Sequence, residues 1–207
     1  RMTSFTLACG QERMQQEDAE LIGRILDGDD PAFSELVRRW QRPIVSFLLR
    51  LSGNMDDAME LAQETFHTVF QRLGGLKDRR SFSSWIYKIA LNHSRIRLRR
   101  RRGRQVESLE DLSFENNELK DHYQSLTGNE AFSPEEAFSA GEMERAVRQA
   151  LGRIDEKQRE VIVLKEYTGL KFHEIAEVLD APVSTIKSRM YIGMENLKKE
   201  ILKIIQP

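Results

Sequence analysis

Apolar residues along this chain return every three or four positions, the spacing of one face of an α-helix, and the two-residue alternation of a half-buried strand is absent. Leu21, Ile22, Ile25 and Leu26 open the pattern. Gly28, Asp29, Asp30 and Pro31 then read as a turn, with Pro31 just inside the next helix, where its missing N–H costs nothing. A long stripe follows, built from Phe33, Leu36, Val37, Trp40, Ile44, Val45, Leu48 and Leu51. After a break at 52–56, Ala58, Leu61, Ala62, Thr65, Phe66, Val69, Phe70 and Leu73 form a third face, closed by Gly74 and Gly75. A polar loop at 76–81 leads into a fourth helix carrying Phe82, Trp85, Ile86, Ile89 and Ala90.

The periodicity lapses at Gly103 and resumes after Gly141. Val147, Leu151 and Ile154 mark one helix, and Val161, Ile162 and Leu164 a second. Gly169 interrupts, Phe172, Ile175, Ala176 and Leu179 mark a third, and Asp180, Ala181 and Pro182 make a tight turn. One long helix is predicted from Val183 to Ile204. The fold class is therefore all-α: two small helical domains, at 18–102 and 142–207, with an N-terminal extension at 1–17 and a linker at 103–141. The linker holds nine acids against two bases, a local charge of −7. It reads as a solvated acidic tether, or as a strand that mimics nucleic acid inside a basic channel.

The whole chain has a net charge of −1, so any attraction to phosphate must come from local patches. The single cysteine, Cys9, allows no internal disulfide and no cysteine-rich zinc site, which fits a cytoplasmic setting. No apolar run reaches the roughly 18–20 residues of a membrane span, so no membrane insertion is expected. The chain carries neither a phosphate-binding P-loop nor a dinucleotide fingerprint. His173-Glu174 starts like a zinc-protease motif, but position 177 is Glu rather than His. No catalysis, cofactor, metal or small-molecule substrate is expected.

Residues 169–192 have the form of a helix-turn-helix. Ala176 lets two helices approach closely, and Pro182 stops the first from continuing. Val183 and Ile186 are expected to face the core, with Met190, Met194 and Leu197 extending the stripe. The opposite face carries Ser184, Thr185, Lys187, Ser188, Arg189 and Tyr191. Hydroxyls and helix-terminal amides suit phosphates, Lys187 and Arg189 can donate to guanine edges, and Tyr191 can pack on a sugar or a thymine methyl. A plain helical hairpin with a solvated face would need turn, core spacing and surface chemistry to agree by chance.

In the first block, Arg95, Arg97, Arg99, Arg100, Arg101, Arg102 and Arg104 fall within ten residues, more than a helix C-terminus needs for its dipole. Aromatic rings beside arginines are the combination that holds unstacked single-stranded DNA. Phe82 and Trp85, at i and i+3, read better as core. Lys77, Arg79 and Arg80 in the loop, with Lys88, Asn92 and Arg95 on the helix, are the better contact candidates. The preceding helix shows Asp57, Glu60, Gln63, Glu64 and Gln71 on its polar face, which suits either solvent or a basic protein partner.

Taken together, residues 57–66, the segment 82–102 and residues 144–199 resemble the extracytoplasmic-function group of bacterial sigma factors, in the expected order and with the expected gap. The resemblance implies a factor that binds core RNA polymerase, directs it to specific promoters and helps open the −10 region. It implies that Asp57, Glu60, Gln63, Glu64 and Phe66 lie at the polymerase. The loop 76–81 and Asn92 would hold a flipped −10 base, and Lys187, Ser188, Arg189 and Tyr191 would meet the −35 element of promoter DNA. It further implies an anti-sigma partner, and a linker that threads toward the RNA exit path. The chain departs from the group at Ile192, where members often carry a base, and in its long linker. The alternative is a stand-alone helix-turn-helix regulator, which accounts for 169–199 but not for the 57–66 helix or the arginine segment. Catalysis is the remaining rival, and no residue constellation supports it.

Overall fold

The computed structural model describes the backbone of residues 3–105 and 134–205, and side chains over 14–101 and 143–205. Most of the linker reading, at 106–133, lies outside the described residues. The described residues form eight α-helices and no strand. They are α1 (Thr3–Leu26), α2 (Asp30–Ser52), α3 (Met55–Arg72), α4 (Phe82–Gln105), α5 (Pro134–Arg153), α6 (Glu156–Thr168), α7 (Phe172–Leu179) and α8 (Val183–Ile205). Helix α1 runs without a break through the expected boundary at 17/18.

Local chemistry sets the ends. Asp29 caps α2 by accepting from the Ala32 N–H at 3.3 Å, and Arg24 holds Asp29 at 2.7 Å. Asn54 caps α3 through the Asp57 N–H at 3.0 Å. Gly53 ends α2 with φ of 72°, a left-handed conformation that a side chain disfavours. Asp155 caps α6 by accepting from the amides of Lys157 and Gln158. Pro43 lies inside α2, where it removes one helical hydrogen bond.

Helices α1 to α4 enclose an aromatic centre. Trp40 meets Phe82 and Tyr87 edge-on at 5.5 and 5.7 Å, and Tyr87 meets Phe47 at 5.0 Å. Burial pushes the Tyr87 phenol well above its ordinary pKa. Phe82 is buried and Trp85 packs against the same core, as expected for both. Helix α1 is pinned by Asp18, which is only 2% exposed and accepts from the Trp40 indole N–H and from Arg39, each at 3.1 Å. The pairing offsets burial only in part: desolvation still raises the Asp18 pKa against the pull of Arg39 and Trp40.

Helices α5 to α8 form the second block, with α8 packed on α5, α6 and α7. Its inner face differs from the expected stripe. Ile186, Gly193 and Leu197 are buried and Met190 packs beside them, whereas Val183 and Met194 are exposed. The cause is Gly193: a Cβ there would lie 3.0 Å from both Gln158 and Ile162, so α8 meets α6 backbone-first at this point. The seam then follows 186, 190, 193 and 197, and Met194 falls about 100° away around the helix. Leu26 and Phe70, read as part of apolar faces, are likewise exposed, and the Phe70 ring rests edge-on against Phe33 at 5.0 Å.

The two blocks pack against each other. Helix α2 meets α6 and α5, and α4 meets α7. Apolar packing is continuous from one block to the other.

Asp18→Ala is expected to lower unfolding free energy by about 1–3 kcal/mol, because it leaves the buried Trp40 N–H without an acceptor. Asp18→Asn should lose less, since it keeps an acceptor and removes a buried charge. Thermal unfolding of both variants at neutral pH checks the order; an Asn variant weaker than the Ala variant would refute it.

Candidate nucleic-acid and polymerase interface

The arginine run lies on the C-terminal half of α4, beside α3. Arg97 sits among three carboxylates of α3: 2.7 Å from Glu60, 3.3 Å from Asp57 and 3.5 Å from Glu64. Arg101 pairs with the other oxygen of Asp57 at 2.7 Å. The hydrogen bond from Arg97 lowers the Glu60 pKa and, reciprocally, raises that of Arg97. His93 joins the network, with Nδ1 3.2 Å from Glu64 and Nε2 2.9 Å from the Thr68 hydroxyl. Arg99 and Arg100 are exposed and make no ion pair among the described residues.

Of the residues expected at the polymerase, Glu60 and Gln63 are exposed and Glu64 is half-buried on the same face of α3. Asp57 is buried beneath the arginines, and Phe66 packs partly into the core. The structure thus turns Asp57 inward, where it sets the position of Arg97 and Arg101, and leaves Glu60 and Gln63 as the outward groups.

The residues expected at the −10 element divide into two sets. Lys77, Arg79 and Arg80 are exposed on the turn between α3 and α4. That turn is fixed by Asp78, which accepts from the Arg80 N–H at 3.0 Å, and by the Ser81 hydroxyl, which donates to the Asp78 carbonyl at 2.7 Å. The Arg79 guanidinium lies over Gly23 of α1, with Nη1 2.9 Å from where a Cβ would stand. Asn92 is exposed on α4. Lys88 and Arg95, on the same helix, reach the second block instead. Lys88 donates to the Glu177 carbonyl at 2.9 Å, near the C-terminus of α7, where helix carbonyls lack internal partners. Arg95 makes a two-pronged pair with Glu160 of α6, at 2.7 and 2.6 Å. Glu160 is nearly fully buried, and its hydrogen bonds raise the Arg95 pKa despite desolvation.

Other contacts complete this seam. Arg159 donates to the Leu51 carbonyl at the end of α2, at 3.2 Å, and the Arg50 guanidinium stacks 3.9 Å above the Tyr167 ring. Sequence reading passed over Glu160, Arg159, Arg50 and Tyr167. The one local signal was an acid, Glu160, directly before the apolar run 161–164 on a helix that must bury that face.

The −35 candidates sit at the start of α8. Ser184, Lys187, Ser188 and Tyr191 are exposed, Tyr191 at 70%, and Thr185 and Arg189 are half-buried. The turn before α8 uses Asp180 in the left-handed region, with φ of 51°. The Ala181 N–H closes back on the Ala176 carbonyl at 3.1 Å. Lys165 and Lys187 flank the face of Phe172 at 5.2 and 6.0 Å, which gathers positive charge beside α8. Among the described residues there is no His/Cys/Asp/Glu group able to hold a metal ion, and no helix long and apolar enough to cross a membrane.

Comparison with known proteins covers both blocks. Residues 36–104 match the family described as Sigma-70 region 2, and residues 144–197 match Sigma-70, region 4. The chain is 31% identical over 192 residues to the RNA polymerase sigma-H factor of Pseudomonas aeruginosa, covering 93% of this chain and 97% of that one. It is 30% identical over 180 residues to the ECF RNA polymerase sigma factor SigW of Bacillus subtilis, covering 87% and 94%. It is 30% identical over 199 residues to the ECF RNA polymerase sigma-E factor of Escherichia coli, covering 93% and 98%. In fold it is similar to CnrH, solved in complex with the cytosolic domain of CnrY, with a TM-score of 0.61, 21% identity and coverage of 88% and 95%. It is equally similar, at 0.61 and 20% identity, to the sigma factor RpoE of Bartonella quintana solved with the anti-sigma factor NepR, with coverage of 83% and 96%. With both conserved regions present in order and relatives matched along nearly their whole length, the chain belongs to the extracytoplasmic-function RNA polymerase sigma factors.

Proposed function

We propose that the division of labour follows the two blocks. The exposed face of α3, through Glu60, Gln63 and Glu64, docks core RNA polymerase, with Phe66 and the buried Asp57 holding that face in place. The turn carrying Lys77, Arg79 and Arg80, with Lys88, Asn92 and Arg95 of α4, engages the −10 region as a separated strand. The N-terminal half of α8, through Ser184, Thr185, Lys187, Ser188, Arg189 and Tyr191, enters the major groove of the −35 element. The protein works by binding and positioning, with no chemistry of its own, alongside RNA polymerase in the cytoplasm. The domain boundaries follow the same logic: a polymerase and −10 module before the acidic segment, and a −35 module after it. The relatives in fold solved with CnrY and with the anti-sigma factor NepR support an anti-sigma partner for this chain as well.

The observation that carries this reading is the pairing of an arginine-dense helix beside an exposed basic turn with a helix-turn-helix whose outer face is exposed. Run-off transcription tests it. Bacterial core polymerase with promoter fragments should initiate at discrete sites only when the protein is added. Initiation that does not depend on the protein, or binding to duplex DNA with no gain in initiation, would favour a stand-alone regulator.

Two variants map the surfaces. Glu60→Ala with Gln63→Ala should weaken core polymerase binding at least about tenfold, the scale of a small hot-spot cluster, with −35 duplex binding unchanged. Wild-type affinity for the polymerase would place that interface elsewhere. Arg189→Ala should cost about 1–3 kcal/mol of −35 affinity if the guanidinium is bidentate to a base, and Lys187→Ala should lower the salt dependence by about one phosphate contact. Fluorescence anisotropy across a salt series reads both; a flat response at Arg189 removes it from the interface.

A further inference from the structure

We propose that Glu160 is an intramolecular competitor for promoter DNA: in the free protein its carboxylate occupies the Arg95 guanidinium, and the second block thereby covers part of the −10-reading helix. The inference rests on the −10 assignment of α4 made above.

The two ends of the molecule are not in the same condition. The groove-facing residues Ser184, Lys187, Ser188 and Tyr191 of α8 are open to solvent. On α4, by contrast, two of the three −10 candidates are engaged by the other block. Arg95 is held by both oxygens of Glu160, and Lys88 by the Glu177 carbonyl. A carboxylate that accepts two parallel N–H bonds reproduces the geometry in which a guanidinium takes a phosphate. Glu156, one helical turn before Glu160, adds its negative field at Arg95. Helix α6 therefore presents α4 with two acids at i and i+4, a short anionic track where the DNA backbone would run. Arg159 on the Leu51 carbonyl and Arg50 over Tyr167 hold the same seam at its other end.

The exchange is chemically even. DNA entering this site replaces one anion with another on Arg95, so the ion pair need not be left empty while the seam opens. Without DNA or polymerase, loss of the Glu160 charge should shift the population toward the open form, and the apparent −10 affinity should rise with the competent fraction.

The test uses the full chain, without polymerase. The probe is a fluorescein-labelled single strand carrying the non-template −10 sequence of a promoter located by run-off transcription. Glu160→Gln, which keeps the shape and removes the charge, should bind this strand about tenfold more tightly than wild type, while affinity for the −35 duplex stays the same. Adding Arg95→Ala should cancel the gain. Equal strand affinity in wild type and Glu160→Gln, with −35 binding intact as proof of folding, would overturn the proposal.

A second variant works in the opposite direction. With Cys9 replaced by serine, Arg50→Cys and Tyr167→Cys place two thiols across the seam, outside the DNA-contacting set. A reducible bis-maleimide should trap the closed form. The trapped protein should bind the −35 duplex, fail to bind the −10 strand, and support transcription only after reduction. Trapped protein that binds the −10 strand at the untrapped level would overturn the proposal. Failure of the sigma-factor reading would show separately, as absence of initiation by the wild-type protein. Closure has its own readout in the cross-linking yield, which should fall when Glu160→Gln is added; an unchanged yield counts against Glu160 as the closing group.

Discussion

Helix α4 concentrates positive charge, and the arginines that it turns toward its neighbours are each met by an acid. Like charges at neighbouring helical positions repel, and a guanidinium taken out of water without a partner is costly. The helix is therefore flanked by acids on two sides. Asp57, Glu60 and Glu64 of α3 take Arg97 and Arg101, and Glu160 of α6 takes Arg95. The first set lies within the N-terminal block and fixes how α3 and α4 sit on one another. The second crosses between blocks. An arginine-rich helix thus organises the packing of its neighbours on both sides, through the cations that are turned inward.

The seam also makes use of helix ends. The carbonyls that close α2, α5 and α7 have no partner within their own helices. Arg159 serves Leu51, Gly152 and Ile154, and Lys88 serves Glu177. Each contact joins a cation to the negative end of a helix dipole. Two of them, Arg159 on Leu51 and Lys88 on Glu177, cross between the blocks; the Lys88 contact is exposed to water and the Arg159 contact is partly buried.

Much of this arrangement was legible in the sequence. The 3.6-residue spacing placed the helices, the break at 52–56 and Gly169 marked ends that the structure closes with left-handed glycines, and the Asp180–Pro182 turn located the helix-turn-helix; Gly74 and Gly75, expected to close α3, lie instead in a 3-10 turn after it. The outward chemistry of α8 followed from which residues were left off its apolar stripe. The errors are instructive. A stripe of large apolar residues puts Met194 and Val183 inward, whereas α8 meets α6 backbone-first at Gly193, which has no side chain to count. The pattern puts Asp57 outward with the other acids of α3, and Arg97 and Arg101, more distant in the chain, draw it in. The Arg95–Glu160 pair spans 65 positions. One sequence carries no signal for such a pairing beyond the oddity of an acid beside a buried apolar run.

The choice of an ion pair at that point has a physical meaning. Buried charge pairs contribute little net stability, since desolvation consumes most of the attraction, and well-packed apolar residues of similar size often do as well or better. If the seam existed only to be stable, Leu or Met at 95 and 160 would serve. An apolar pair would also remove from α4 the guanidinium that faces the second block. Arg95 and Glu160 instead give a contact that is specific in geometry, costs about 3–5 kcal/mol if one partner is left alone in the closed seam, and relaxes once water or another anion can reach the guanidinium. The energetic asymmetry lies between a half-broken seam and an exchanged one. On the proposed −10 reading of α4, a carboxylate holds the closed protein in a way that an anionic strand can replace, which an apolar contact would not.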